Sequence, residues 1–423
     1  MKNFYEYSNF SLKILYCLSI IIVFSYIYLK YKNKKYIISF FNIGLYTGFI
    51  SLFFTSLYQY NDLAWKALGY QNANIFFKYI NKNLSINLIG IVVFYLSLII
   101  FEMREKKIKL SKLEFFIEKN INLQIIKWVN LAVICMWILL VYSHLGFSLP
   151  IFGNRTFLIN SYFQSFYNVF NSIFSYSLIV YLFCKKRPVI LIGINLILLF
   201  GVGNRGGILG FFLLCYIYYL YTTKKSGRKK YLLGIFVCFG LLFLLFFLEK
   251  LRGAGKVPIS YRILYGNTFS DIRDGAFILY GIEKIKIGLL YGKMYIADFL
   301  SFIPSEFIKY REIYGYSNFT TKTLFSWNEH YGLRGGSYMA PYINFGIAGV
   351  ILMGIYAAYG YSKLENYYYK KKITFKNILF LNLKASFIVS LLLPAGFMYF
   401  YVLCCYIILI IGLKIIIRSI LKE

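Results

Sequence analysis

The stretch INLIGIVVFYLSLIIFEM at residues 86–103 decides the fold class, because it is apolar almost throughout and its one charged residue, Glu102, comes near its end. A helix rises about 1.5 Å per residue, so a run of this length nearly crosses the ~30 Å hydrocarbon layer of a bilayer. The next residues, REKKIKLSK at 104–112, are mostly basic. Such a cluster is typical of the cytoplasmic end of a membrane span. The stretch therefore predicts a transmembrane helix.

The composition extends this prediction to most of the chain. Of 423 residues, 59% are hydrophobic and 21% aromatic, and the mean hydropathy is +0.62. Soluble domains contain roughly 45–50% apolar residues, so a soluble chain of this size could not bury so many. The 47 basic and 16 acidic residues give a formal charge of +31. Because the basic residues stand mostly in short clusters between apolar runs, they indicate membrane orientation and not nucleic-acid binding.

The apolar runs predict an all-α polytopic membrane protein with about eleven spans. A helix needs roughly 17–25 residues to cross the hydrocarbon layer. By this measure the predicted spans lie near 13–30, 36–58, 86–103, 124–144, 162–184, 188–203, 207–223, 231–248, 339–361, 378–394 and 398–417. The pair 188–203 and 207–223 is short and joined at GNRGG (203–207), which indicates a tight helical hairpin or a partly re-entrant segment.

Positive charge alternates between the predicted connections. The connections that begin at Lys30, Arg104, Lys185, Lys224, Lys363 and Lys414 contain 26 basic residues. The positive-inside rule then places the N-terminus outside and the C-terminus inside. The chain divides into a first membrane region (1–248), a large outer loop (249–338) and a last membrane region (339–423). The loop contains 8 acidic and 12 basic residues, and its segments 276–291 and 294–303 predict short helices on the outer interface.

Four arginines on the predicted outer side could bind an anionic ligand. Three of them are followed by glycine at the edge of a span, and the fourth lies between two aspartates in DIRD. Guanidinium binds phosphate through two parallel hydrogen bonds, and glycine lets backbone amides approach the same anion. The alternative is that the arginines reach lipid headgroups and the glycines end helices. The candidate ligands of the anion are Arg205, Arg252, Arg273 and Arg334, with Gly206 and Gly335.

Candidate acid–base groups on the outer side are few, namely Asp271, Asp274 and His330. If their segment is helical, the two aspartates lie three residues apart on one face. The alternative is a turn that is closed by ion pairs with Arg273. His330 lies four residues before Arg334 and could act as a general base near neutral pH. Its alternative is an interfacial histidine that binds a carbonyl group.

The sequence predicts no metal site, no cofactor and no nucleotide-binding motif. All seven cysteines lie inside or at the ends of apolar runs, which argues against a disulfide framework or a zinc site. Neither a Walker loop nor a serine elbow is present, and the predicted cytoplasmic loops contain no acidic metal-binding pair. Any chemistry is therefore expected on the outer side, with a donor that is already there.

This arrangement resembles the bacterial polysaccharide polymerases of the Wzy type, which polymerise O-antigen or capsule repeat units. The likeness covers most of the chain in architecture: about eleven spans, one dominant outer loop before the last three, and Arg-Gly pairs on outer loops. Locally it rests on GNRGG (203–207), on LRGAGKVPISYRILYGNTFSDIRDGAF (251–277) and on LRGGSYMAPYINFGIAG (333–349). The resemblance implies a GT-C-like architecture in the cytoplasmic membrane of a bacterium.

The resemblance also implies an activity and partners. Such enzymes transfer an oligosaccharide from undecaprenyl diphosphate to a new lipid-linked repeat unit, without metal or nucleotide. Arg205, Arg252, Arg273 and Arg334 would then contact the diphosphate. A flippase and a chain-length regulator of the same pathway are the implied partner proteins.

Other enzymes and transporters remain as alternatives. The related ligases have a histidine eleven residues before the first glycine of a G-x-x-G, but here that position is Gly335 and His330 comes five residues too early. A flippase or exporter of lipid-linked repeat units should bury ionisable residues at mid-membrane. Only Lys127 and Lys384 lie within predicted spans, both near the predicted cytoplasmic ends, and no acidic residue is central. A sugar acyltransferase would need a buried or cytoplasmic histidine. The sequence thus favours the polymerase.

Overall fold

The protein is an all-α membrane protein. The computed structural model describes residues 4–33, 43–61, 74–103, 112–145, 161–201, 205–222, 270–303, 307–327, 332–370 and 373–420, with isolated positions within 232–247 and at 264. Five helices in these residues are long and apolar enough to cross a membrane: Phe10–Lys32, Ile75–Met103, Leu123–Ser143, Met339–Tyr367 and Phe397–Ile420. The described residues contain no strand.

The helices follow the predicted apolar runs. In chain order they are α1 (Phe4–Tyr7), α2 (Phe10–Lys32), α3 (Ile43–Tyr58), α4 (Asn74–Met103), α5 (Lys112–Asn120), α6 (Leu123–Leu145), α7 (Ser161–Leu182), α8 (Val189–Gly201), α9 (Arg205–Thr222), α10 (Asp271–Lys284), α11 (Lys293–Phe299), α12 (Lys309–Tyr314), α13 (Met339–Lys370), α14 (Ile378–Leu392) and α15 (Phe397–Ile420). Single helical turns lie at Leu300–Phe302, Tyr316–Asn318, Phe319–Thr323 and Pro394–Gly396.

The predicted number of about eleven spans is not confirmed. Several predicted spans form apolar helices shorter than a full crossing, among them Gly48–Tyr58, Val189–Phe200, Gly207–Tyr216 and Ile378–Leu392. The 13 residues of α8 rise only about 20 Å, against a hydrocarbon layer of about 30 Å. Residues 36–42, which begin the second predicted span, lie outside the described residues.

The chain forms two compact units, each discontinuous in sequence. Unit 1 comprises residues 1–108, 255–369 and 385–398, and unit 2 comprises residues 109–254, 370–384 and 399–423. The predicted boundaries at 248 and 338 separate membrane regions from a loop. The two units are defined by compactness and not by membrane position, so the predicted division stays a prediction.

In unit 1, helices α2, α4 and α13 run parallel. Lys30, Glu102 and Glu365 lie near their respective C-terminal ends and meet in one buried group. Helix α3 runs antiparallel to α2, because the Tyr16 hydroxyl near the start of α2 donates to the carbonyl of Phe53 late in α3 (2.9 Å). If α4 and α13 both cross the membrane, they begin on the same side of it.

Helix α10 packs antiparallel on the first turns of α4. The Phe76 ring of α4 meets the rings of Phe277 and Tyr280 edge-on (4.6 and 5.1 Å between centroids). The 30 residues of α4 rise about 45 Å, so its first turns can extend beyond the hydrocarbon layer. Every residue from Ile272 to Leu279 is buried against the rest of the protein, and the interfacial position of segment 276–291 stays a prediction.

Helix α13 is broken at Gly346, whose backbone has φ 64° and ψ −153°. This positive φ favours glycine. The carbonyls of Ile343 and Asn344 there accept hydrogen bonds from the amides of Leu290 and Tyr291 (3.1 and 2.9 Å). The break therefore attaches the segment before α11 to the first turns of α13.

Unit 2 contains a buried polar group between three helices. The side-chain amides of Asn130 on α6 and Asn195 on α8 donate to each other (3.1 Å each way). The Tyr181 hydroxyl of α7 donates to Asn130 Oδ1 (3.1 Å). Such polar contacts fix the register of helices in a lipid environment, where apolar packing alone is less selective.

Candidate functional site

The structure brings together four predicted charged residues of unit 1 at the start of α10. We name Ser270, Asp271, Arg273, Asp274 and Arg334 the Arg334 site. The backbone N–H of Arg334 donates to Asp274 Oδ2 (3.2 Å), and its Nη2 donates to Ser270 Oγ (3.3 Å). Arg334 Nε lies 3.8 Å from Asp271 Oδ1. The last part of the predicted outer loop is thus joined to the first turn of α10.

Arg273 and Asp274 form the interior of this site. Arg273 donates to Asp274 Oδ1 through Nε (3.1 Å) and Nη2 (2.9 Å), and both residues are buried. Since Asp274 Oδ2 accepts from the Arg334 amide, both of its oxygens are engaged. This ion pair is the alternative that the sequence left open for the turn. The geometry gives both residues a structural role. That Arg273 binds a diphosphate and that Asp274 acts as a base stay predictions.

Arg334 and Asp271 are the accessible pair of the site. Their side chains are 56% and 49% exposed. A guanidinium at 3.8 Å from a half-exposed carboxylate is held only loosely, because water screens such pairs. Arg334 can therefore turn toward an anionic ligand with little loss of stability. Asp271 and Asp274 lie in the first turn of α10, which is the helical arrangement that the sequence left open beside the ion-paired turn.

The loop at 332–336 is fixed by its backbone. The amide of Leu333 donates to Thr320 Oγ1 (3.1 Å), and the amide of Gly335 donates to the Tyr316 hydroxyl (3.2 Å). Gly336 has φ 84°, and a Cβ there would lie 2.4 Å from Asn87 Oδ1. The glycine at 336 is thus required by both conformation and space. The Gly335 amide, predicted to approach an anion, is already a donor within the protein.

Two asparagines that the sequence analysis did not identify connect α4 to the site. Asn83 Nδ2 donates to the carbonyls of Asp271 and Ile272 (3.1 Å each). Asn87 Nδ2 donates to Asn83 Oδ1 (2.8 Å) and to the Gly335 carbonyl (3.1 Å). Both are buried. The available signal was a pair of asparagines four residues apart, on one face of an apolar helix.

A cavity of about 430 Å³ opens beside Asp271 in unit 1. Its polar lining includes Asp271, Asn87, Ser337, Ser51 and Thr55, and its apolar lining includes Leu52, Ile91, Phe94, Ile272 and Leu392. Along α4 the lining runs from Asn87 to Tyr95, a rise of about 12 Å. A ligand with a charged head and an apolar tail would find both kinds of surface here.

Two carboxyl groups near the loop have perturbed acidities. Partial loss of surrounding water raises the pKa of the half-exposed Asp271 carboxyl above its ordinary value, Arg334 opposes this shift and Asp274 adds to it. Burial raises the pKa of Asp298 on α11 to about 7, against the hydrogen bond from Tyr316 and the charge of Arg311. Asp298 accepts the Tyr316 amide with both oxygens (3.2 and 3.1 Å). A carboxylate with a raised pKa is a stronger base, which suits Asp271 to proton abstraction.

Two further predicted site residues, Arg252 and His330, lie outside the described residues. Arg205 and Gly206 begin α9, but the side chain of Arg205 is not among the described ones. In the part of the chain that the structure describes, no group of three or more His, Cys, Asp or Glu side chains could bind a metal ion.

Comparison with protein-family models, with curated proteins and with solved structures finds no match.

Proposed function

We propose that the chain polymerises undecaprenyl-diphosphate-linked oligosaccharide repeat units into a surface polysaccharide, O-antigen or capsule. The observation that supports this most is the accessible Arg334 beside Asp271, which lines a cavity with both polar and apolar walls. A lipid diphosphate offers both kinds of group: a charged head on an apolar chain.

The proposed reaction is a metal-independent glycosyl transfer. A hydroxyl of the acceptor sugar attacks the anomeric carbon of the donor, and its proton passes to the Asp271 carboxylate. The bond between that carbon and the diphosphate oxygen breaks, and the electron pair leaves with the diphosphate. Arg334 stabilises the charge that develops on the leaving group, and a fixed cation at this position lowers the barrier. The raised pKa of Asp271 favours its role as base.

The proposal includes a position in the membrane. The protein would lie in the bacterial cytoplasmic membrane with about eleven crossings, a GT-C-like architecture, the N-terminus outside and the C-terminus inside. The parallel course of α2, α4 and α13 supports this orientation, because all three run toward basic segments. The Arg334 site then faces outward, where lipid-linked repeat units are polymerised.

The experiment is a deletion of the gene in its host, complemented with single variants, followed by electrophoresis of the surface glycans. We expect the deletion and Arg334→Ala to give one repeat unit in place of a ladder. Lys78→Ala is the matched control, because Lys78 is an exposed basic residue of α4 whose nearest acid is Glu283. A full ladder with Arg334→Ala at a normal membrane level would refute the proposal.

A second candidate function is a flippase or exporter of the same lipid-linked units. One observation favours it: Lys30, Glu102 and Glu365 lie inside candidate spans and are buried. The sequence did not identify them as a group, because Lys30 and Glu102 lie at or near the ends of their predicted spans and Glu365 lies beyond the ninth, which ends at residue 361. A flippase predicts a different outcome of the deletion, in which no repeat unit reaches the surface and lipid-linked units accumulate inside.

A further inference from the structure

A second charged group of unit 1 lies away from the Arg334 site. We name Tyr26, Lys30, Glu102 and Glu365 the Lys30 cluster. The Lys30 ammonium contacts Glu102 Oε1 and Glu365 Oε2. The Tyr26 hydroxyl is within hydrogen-bond distance of the same two oxygens and is the donor (3.3 Å to Glu102 Oε1 and 3.1 Å to Glu365 Oε2). The cluster is sealed, since the side chain of Lys30 is 0% exposed and those of the two glutamates are 6% and 4% exposed.

Glu102 is the less compensated of the two carboxyl groups. It shares its ammonium and its tyrosine hydroxyl with Glu365, and its other oxygen, Oε2, is buried without a hydrogen-bond partner among the described residues. The hydroxyls of Tyr46 on α3 and Tyr95 on α4 are likewise buried without a partner there. An ionised carboxylate oxygen in this state is costly, because neither water nor a donor stabilises its charge.

We propose that the Lys30 cluster is a proton-binding site and that Glu102 carries the proton. A neutral Glu102 leaves the Lys30 ammonium paired with an ionised Glu365, and this ion pair is hydrogen-bonded by Tyr26. The added proton gives Glu102 a donor of its own, which two acceptor-only carboxylates would lack. The proton comes from water and returns to water. The inference rests on the geometry of unit 1 and does not depend on the proposed polymerase activity.

Tyr95 connects the cluster to the cavity beside Asp271. It lines that cavity, and its ring packs edge-on against the Tyr26 ring (5.4 Å between centroids). The titratable and charged groups of the cluster and its surroundings are Tyr26 and Lys30 on α2, Tyr46 on α3, Tyr95 and Glu102 on α4, and Tyr361 and Glu365 on α13. Tyr95 and Tyr26 therefore form the route by which a proton would pass between the cavity and the sealed carboxyl groups.

The test is infrared difference spectroscopy on the purified full-length protein in lipid nanodiscs at neutral pH. We expect Glu102→Gln to remove the carbonyl-stretching band of a protonated carboxyl group and to leave the carboxylate bands unchanged. Glu114→Gln is the matched control, because Glu114 is a buried glutamate of unit 2 that lies 3.9 Å from Lys384. The control should leave the Glu102 band in place. Loss of carboxylate bands in Glu102→Gln would overturn the proposal.

A stability measurement covers the case in which the variant is difficult to study by spectroscopy. An amide closely replaces a neutral carboxyl group in size and hydrogen bonding. We therefore expect Glu102→Gln to shift the Tm at neutral pH by less than about 3 °C, the size of a 1 kcal/mol change in a chain of a few hundred residues. A Glu102→Gln protein that fails to fold, or melts far lower, would contradict a protonated Glu102.

Discussion

The Arg334 site and the Lys30 cluster lie toward opposite ends of helix α4, and both set a basic side chain against carboxyl groups. Asn87 contacts the first and Glu102 belongs to the second, a separation of about 22 Å along the helix. Arg334 and Asp271 are about half exposed, whereas Lys30 is fully buried. Arg334 can exchange Asp271 for a ligand, because both side chains are accessible. Lys30 cannot exchange its partners in this way, and we assign the Lys30 cluster to folding and to the binding of a proton.

The largest expected effect comes from breaking the sealed group. Lys30→Met removes the only basic residue of the Lys30 cluster, and loss of one partner of a buried ion pair costs about 3–5 kcal/mol. We expect a strong fall in the Tm of the purified protein. Lys78→Met, at the exposed pair with Glu283, should leave the Tm almost unchanged. Equal effects of the two changes would remove the distinction between a sealed and an open group.

The next effect concerns activity and not stability. Arg334→Ala should lower the rate of polymer formation about 100- to 1,000-fold, because it removes the cation that faces the leaving group. The free energy of unfolding should change by less than about 1 kcal/mol, since the lost ion pair is exposed. Polymer formation in membranes and the Tm of the purified protein measure the two quantities. A large fall in the Tm would assign Arg334 a structural role like that of Lys30.

Asp271→Asn should lower the same rate about 100-fold, the lower range for loss of a general base. The pH profile sharpens this test. Because loss of water raises the pKa of Asp271, activity should fall as the pH decreases through a value above the ordinary aspartate pKa of about 3.9. Asp271→Asn should abolish that acidic limb. A limb that persists in the variant would belong to another group.

The smallest effect on the rate is expected from a change at Asn87, which holds the loop of the Arg334 site through the Gly335 carbonyl. Asn87→Leu leaves the Gly335 carbonyl without its donor, at a cost of about 1–3 kcal/mol. The loop that carries Arg334 would then be less well placed, so the rate should fall by about tenfold while binding of the lipid diphosphate weakens less. A comparison of polymer yield with lipid binding would check this. An unchanged rate would show that Asn87 serves packing alone.

The sequence predicts local features of this molecule and misses those that depend on distant partners. The apolar runs identified the helices, and DIRD and LRGG identified the charged residues of the Arg334 site. The contact of Asn87 with Gly335 joins residues 248 positions apart, and that of Lys30 with Glu365 joins residues 335 positions apart. No local pattern specifies such register. The break at Gly346 lies where the carbonyls of Ile343 and Asn344 accept hydrogen bonds from the distant amides of Leu290 and Tyr291, so NFGIAG (344–349) alone could not indicate it.

Reconstitution of the purified protein with an undecaprenyl-diphosphate-linked repeat unit as sole substrate tests the central claim most directly. We expect polymer and free lipid diphosphate to form in the presence of a metal chelator, and neither to form with Arg334→Ala. Substrate that is left unpolymerised by the wild-type protein, together with its movement across the vesicle membrane, would contradict a polymerase and establish a transporter.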